Sequence, residues 1–383
     1  MSQLAIRDKM RAVAVDMSLN HLDREVEIKG LMLAALSREH ILFLGPPGSD
    51  KTRMAIDFAS YFTDSKFFYW LMNAFTTPDE IFGPLSLQAL KNEIVRRVPT
   101  NKLPEANFVM LDELFNASSA INNTLLDIIQ ERKFDNGDTR IDVPLNFVIA
   151  GSNQLPAEEE KLRALYDRFS LRYLVEYIGD DQIFTTLINM FIGQRNKNGI
   201  ATTIHHNVEN ITLDELTDAQ IKCSKLEFSA GAKDSILILW HICIEQKVSI
   251  SERRWGKLIN LMQADAWYNG NSEVESDNLS IASHMFWDNP EQIGNIAHLV
   301  TSCIDPDLTK AQAIEDSAKE IMSEFYAMRS DLGAGEVAQM LINLQEMTNI
   351  LKNELRPSNN VSIILTMIDG YRHTMKQQIQ DSL

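Results

Sequence analysis

A glycine-rich turn is the first place in this chain where residue types and spacing point to chemistry. Gly45, Pro46, Pro47, Gly48, Ser49, Asp50, Lys51, Thr52 and Arg53 follow the apolar run 40–44 and lead into a helical pattern. Strand, glycine turn and helix in that order form a phosphate cradle. Glycines let backbone N–H groups converge on phosphate oxygens, and the helix N-terminus adds a partial positive charge. In such a cradle Lys51 reaches the β- and γ-phosphates of ATP, and the Thr52 hydroxyl ligates Mg2+. Asp50 stands where the motif usually has glycine. A carboxylate beside a polyphosphate is repelled unless it points to solvent or holds a cation.

About sixty residues on, the apolar run 108–111 ends in Asp112 and Glu113. Buried parallel strands read as continuous apolar runs, and ligands bind off their C-terminal ends. There Asp112 can hold the magnesium shell and Glu113 can polarise an attacking water. The run 147–150 ends similarly, with Asn153 three residues beyond, in reach of a γ-phosphate or the lytic water. Arg168, in Asp167-Arg168-Phe169, is a candidate arginine finger, a cation that stabilises transition-state charge. Arg253, in the run Ser251, Glu252, Arg253, Arg254, Trp255, opens a later helix and can fold back onto the nucleotide. Taken singly, each has a plainer reading: a helix cap for the acidic pair, an Asx turn for Asn153, surface ion pairs for the arginines. Their joint occurrence in this order favours a nucleotide site.

These residues need a frame. Apolar strand patterns fall at 40–44, 67–71, 107–111 and 146–150, with helical patterns between them. Alternation of strand and helix predicts an α/β fold with a parallel sheet flanked by helices. Amphipathic segments at 6–17 and 24–37 precede it. After about residue 178 strand patterns nearly vanish, and helices are expected at 230–246 and 251–268. The tail from 307 reads as two or three long amphipathic helices broken at 333–335 and 356–360. The expected organisation is therefore an α/β nucleotide-binding domain over 1–178, an all-α domain over 179–305 and a helical C-terminal domain over 306–383.

Bulk properties narrow the task. At 383 residues the chain is long enough for two or three domains. A net charge of -17 repels nucleic-acid phosphate, which disfavours DNA or RNA as the main partner. Three scattered cysteines in no metal-binding spacing fit reduced thiols of a cytoplasmic protein. The first residues show no apolar h-region and no eighteen-residue apolar run occurs, so neither a secretory leader nor a membrane span is expected.

With the motifs in this order, the sequence resembles the MoxR branch of the AAA+ ATPases, and within it the RavA subfamily. The resemblance covers about 5–305 and is carried by 45–52, 80–86, 103–106, 111–113, 152–156, 164–168 and 248–255. The stretch Phe82, Gly83, Pro84, Leu85, Ser86 and the stretch 251–255 are the subfamily-specific parts. It implies a P-loop AAA+ sheet, an all-α lid and assembly into a hexameric ring that holds ATP and Mg2+ between subunits. It implies Lys51 and Thr52 in Walker A, Asp112 and Glu113 in Walker B, Asn153 as sensor 1, Arg168 as a finger given in trans and Arg253 as sensor 2. Residues 76–97 match the helix-2 insert that faces the pore in relatives. Such proteins act as chaperone-like remodellers, usually with a von Willebrand A-domain (vWA) partner. The tail shows no alternating strand pattern, so the lysine-decarboxylase-binding module of RavA is not expected.

Three functions compete. The first is an ATP-hydrolysing remodeller. The second is a nucleotide-holding scaffold ring with slow or no hydrolysis because of Asp50. The third is a nucleic-acid motor, which Lys91, Arg96 and Arg97 lining a pore would favour.

Overall fold

The computed structural model describes residues 3–156, 160–195, 208–327, 333–355 and 359–381. Helices α1 (Gln3–Asn20) and α2 (Glu25–Ser37) precede strand β1 (His40–Leu44), and α3 (Lys51–Ser60) follows it. Then come β2 (Phe67–Leu71), β3 (Phe108–Asp112), α4 (Ser119–Glu131), β4 (Phe147–Ser152), α5 (Glu160–Tyr166) and β5 (Phe169–Leu174). The helices after the sheet are α6 (Asp181–Arg195), α7 (Leu213–Cys223), α8 (Ala230–Glu245), α9 (Glu252–Asn269), α10 (Ile293–Ile304), α11 (Pro306–Ala327), α12 (Ala334–Asn353) and α13 (Asn359–Asp381).

The five strands form one parallel sheet in the order β2-β3-β4-β1-β5. Every pairing is parallel, with Ile41 opposite Ile149 and Phe108 opposite Phe147. The central strands are buried along nearly their whole length. That burial is why they read as unbroken apolar runs in the sequence. Phe58, Phe62, Phe108 and Phe147 interlock on one face, with ring centroids 4.7–5.9 Å apart. The other face packs on Leu125, Ile128 and Ile129 of α4, together with Phe82 and Phe134.

Strand β5 is the sheet element that hydropathy did not announce. Ser170 and Arg172 interrupt its apolar pattern, yet both are buried. Ser170 donates to Glu39 at 3.0 Å. Arg172 donates to the carbonyl of Trp287 at 2.5 Å and to Asp288 at 2.8 Å, and its guanidinium lies 4.0 Å over the ring of Tyr166. A buried charge is tolerated only when paired and hydrogen-bonded, and here the partners lie far away in the chain.

Packing divides the chain into two compact units, 1–233 with 248–293, and 234–247 with 294–383. In the first unit α7 and α9 pack on α1 and α2. Lys9 pairs with Glu215, Gln220 donates to the carbonyl of Ala35, and Arg7 lies over Trp267. Part of the segment read as a separate lid is thus built into the α/β unit. In the second unit α11, α12 and α13 share a core that includes Met322, Phe325, Leu344, Leu351, Ile364 and Ile368. Cys223, Cys243 and Cys303 are buried free thiols.

Candidate nucleotide site

The turn after β1 starts at Gly45, whose N–H donates to the carbonyl of Ser152 at 3.0 Å and so ties the loop to β4. A side chain at Gly45 would put its Cβ 2.1 Å from the carbonyl oxygen of Val175, which explains the glycine. Asp50, the residue before α3, has φ 75°. Glycine adopts that conformation freely, and aspartate is one of the few other residues that tolerates it. Helix α3 then begins with Lys51, leaving its first backbone N–H groups facing the loop.

Lys51 is buried and its Nζ donates to the carbonyls of Gly45 at 2.6 Å and Pro46 at 2.7 Å and to Asn153 Oδ1 at 3.1 Å. Burial lowers its pKa, while Asp112 and Glu113 act in the opposite direction. The Thr52 hydroxyl donates to Asp112 Oδ2 at 2.5 Å, so the two magnesium candidates stand side by side. Glu113 follows in a left-handed conformation and accepts a hydrogen bond from Asn153 Nδ2. Gly151 makes this proximity possible, because a Cβ there would lie 2.4 Å from Asp112 Oδ1. Three separated segments therefore converge on the ends of three neighbouring strands. The donor set fits Mg-ATP: a buried ammonium, free helix N–H groups, a hydroxyl beside a carboxylate, and a glutamate held by an amide.

Two clefts adjoin this centre. One, of about 480 Å³, is lined by Glu113, Asn116, Ser152 and Asn153. The other, of about 300 Å³, is lined by Leu22, Gly48, Tyr177, Ile178, Phe184 and Phe191, together with Asp50 and Arg53. Tyr177 donates its hydroxyl to the carbonyl of Pro47 at 2.9 Å, which fixes an aromatic ring at the mouth of the loop. The sequence reading missed these apolar residues. Their one local signal is an aromatic and apolar series, Tyr177, Ile178, Phe184, directly after β5.

Arg168 and Arg253 lie elsewhere. Arg168 precedes β5, whose first residue Phe169 pairs with His40 at the start of β1. The P-loop follows the end of β1. Five strand residues separate the two edges by roughly 16 Å. Arg168 donates to the carbonyl of Ala164 at 3.1 Å and to Gln130 at 2.8 Å. Arg253 meets Asp167 at 3.3 Å. Both line a cleft of about 350 Å³ with Arg38, Arg132 and Lys257. The expected return of Arg253 to its own nucleotide loop is not seen: its helix starts beside Arg168, at the N-terminal end of β5. The neighbouring Arg254 has a different task. Its side chain is 7 % exposed against 42 % for Arg253, and it bridges Asp167 at 3.0 Å and Asp288 at 2.5 Å. Burial pushes the Asp288 pKa up, but Arg254 and Arg172 outweigh it and hold the carboxyl below its usual value.

Residues 8–218 match a family described as the MoxR domain in the MoxR-vWA-beta-propeller ternary systems. The chain belongs to the MoxR family of AAA+ ATPases. Residues 234–300 match an AAA lid domain. An uncharacterized protein of Methanocaldococcus jannaschii is 30% identical over 365 residues, covering 92% of this chain and 94% of the relative. A second from the same organism is 34% identical over 324 residues, covering 82% and 79%. A crystal structure of a candidate ATPase from Cytophaga hutchinsonii superposes with a TM-score of 0.60 at 20% identity, over 79% of this chain and 95% of that one. That likeness concerns the fold. Among the described residues, no helix of this MoxR protein is long and apolar enough to cross a membrane.

Proposed function

We propose that this MoxR protein is a cytoplasmic ATPase that hydrolyses Mg-ATP at sites shared between neighbouring copies in a hexameric ring, and that the cycle remodels a partner protein or complex. The observation that carries this reading is the split of the machinery across the sheet. Lys51, Thr52, Asp112, Glu113 and Asn153 meet at one edge, and Arg168 and Arg253 stand about 16 Å away at the other. One chain cannot complete its own site. A second copy presenting its arginine edge completes it, which makes the sites interfacial and the assembly heterologous and ring-forming.

Each residue has a role that its present contacts support. Lys51 exchanges the carbonyls of Gly45 and Pro46 for phosphate oxygens. Thr52 and Asp112, which already stand side by side, would hold the magnesium ion that accompanies ATP. Glu113 orients and polarises the attacking water, and Asn153 fixes that carboxylate. Arg168 and Arg253 of one copy face the γ-phosphate of the next. Mg-ATP supplies the phosphoanhydride whose cleavage drives the cycle. Tyr177 and Phe184 offer an apolar seat for the base.

The family that matches is described with vWA and beta-propeller components, which supports a vWA-domain partner. The stretches 82–86 and 251–255 support the RavA subfamily. A protein client is favoured over nucleic acid. Arg96 is paired with Asp138 at 2.6 Å and Arg97 with Asp79 at 2.5 Å, which neutralises two of the three insert cations. The scaffold reading loses ground because the Asp50 carboxylate is already engaged by the His21 ring. ATP turnover by the purified chain, with Glu113→Gln as control, tests the proposal.

A further inference from the structure

Asp50 needs an explanation that the ATPase motif does not supply, since it carries a negative charge one residue from Lys51. The structure offers one in His21, which follows the last turn of α1 and has a completely buried side chain. Its Nδ1 lies 2.5 Å from Asp50 Oδ2, and its Nε2 lies 2.8 Å from Asp57 Oδ2 on α3. Both partners are carboxylates, which only accept when ionised, so the ring donates from both nitrogens and carries a positive charge. The His21 N–H closes the last turn of α1 onto the carbonyl of Met17 at 2.9 Å. A helix C-terminus favours a cation there. Arg53 stands 3.9 Å from the other Asp50 oxygen. Burial works against the imidazolium, but the two carboxylates prevail and raise the His21 pKa.

We propose that His21 is a positioning residue of the nucleotide site: it anchors and neutralises the Asp50 carboxylate, which lets aspartate occupy the glycine position of the loop without repelling the phosphates. The claim rests on the nucleotide-site reading and adds a residue from outside the motif. It makes α1 part of the cradle and predicts an energetic coupling between positions 21 and 50.

Binding of Mg-ADP to the full chain by calorimetry tests it. His21→Asn removes the cation and leaves Asp50 free to turn toward the phosphates. The expected result is a loss of about tenfold in affinity, the size of one unscreened unit charge at the loop. Adding Asp50→Asn to His21→Asn is expected to recover most of that loss, because the charge that needed anchoring is gone. A merely structural role of His21 would give no recovery. If His21→Asn does not fold, Asp50→Glu and Asp50→Asn in the native chain decide. The first keeps the charge but displaces it from His21, and should lose more affinity than the second. Unchanged affinity in His21→Asn, loss without recovery in the double variant, or equal effects of Asp50→Glu and Asp50→Asn would each overturn the proposal. Absence of Mg-ADP binding in the native chain and in every variant would instead overturn the nucleotide-site reading, and this inference with it.

Discussion

Consider two populations of chains, one carrying Arg168→Ala and the other Glu113→Gln, co-expressed in equal amounts. The first keeps Lys51, Thr52, Asp112 and Glu113 but offers no finger. The second offers Arg168 but cannot activate water. Removing an arginine finger costs about 10³-fold or more in turnover, so each population alone should be nearly inactive. In a mixed ring, an interface works when an Arg168→Ala chain supplies the loop and a Glu113→Gln chain supplies the arginine. Random assembly produces that pairing at about one interface in four, so the mixture should recover about a quarter of native turnover. The proposed interfacial site requires this result. Arg168 stands at the start of β5 and the loop at the end of β1, roughly 16 Å apart along the strands, beyond the reach of a side chain. A coupled ATPase assay on the mixture reads the outcome. Activity no higher than the average of the two parents would refute the interfacial site.

Other expectations follow from the same geometry. Tyr177→Ala should weaken ATP binding by about tenfold while leaving inorganic triphosphate binding unchanged, since its ring stands in the apolar cleft proposed to seat the base. Equal losses for both ligands in a titration would remove the base from that cleft. Arg254→Ala should lower unfolding stability by about 2 kcal/mol, because it removes a buried guanidinium that bridges the partly exposed carboxylates of Asp167 and Asp288. Arg253→Ala should leave the melting temperature near native and cut turnover. Matching melting curves for the two variants would contradict the division of labour. His40 is buried and neutral, its pKa held well below 6.5 by burial and then by Arg132 and Lys257. The unfolded chain takes up a proton below about 6.5 and the folded chain does not, so this histidine costs stability as pH falls from that point, by up to about 1.4 kcal/mol per unit. Denaturant titrations should therefore show His40→Gln more destabilising at pH 8 than at pH 5, and a gap independent of pH would rule the effect out.

What the sequence disclosed depended on whether contacts were local. The strands at 40–44, 108–112 and 147–152 were legible because strands buried on both faces are apolar throughout, and the edge strand 67–71 because it is a run of aromatic residues. Strand 169–174 was not, since Ser170 and Arg172 look like surface residues until Glu39, Trp287 and Asp288 are brought beside them. The breaks read at 333–335 and 356–360 fall at the starts of α12 and α13. The phosphate loop was legible for the same local reason: its residues are contiguous. The apolar cleft beside it was not, because Leu22, Gly48 and the segment holding Tyr177 and Phe184 come from three parts of the chain. Arg253 was recognised by its motif, but its position depended on where α9 starts relative to α5, which no local pattern encodes. Asp50 read as a defect in the loop until His21 was seen against it.

The central claim is that the purified chain hydrolyses ATP at sites that exist only between copies. Steady-state turnover per chain, measured across a wide range of protein concentrations with Glu113→Gln alongside, tests it most directly. The account predicts turnover that rises with concentration to a plateau and is lost in Glu113→Gln. Turnover per chain that is constant down to the most dilute sample, or that survives Glu113→Gln, would contradict it.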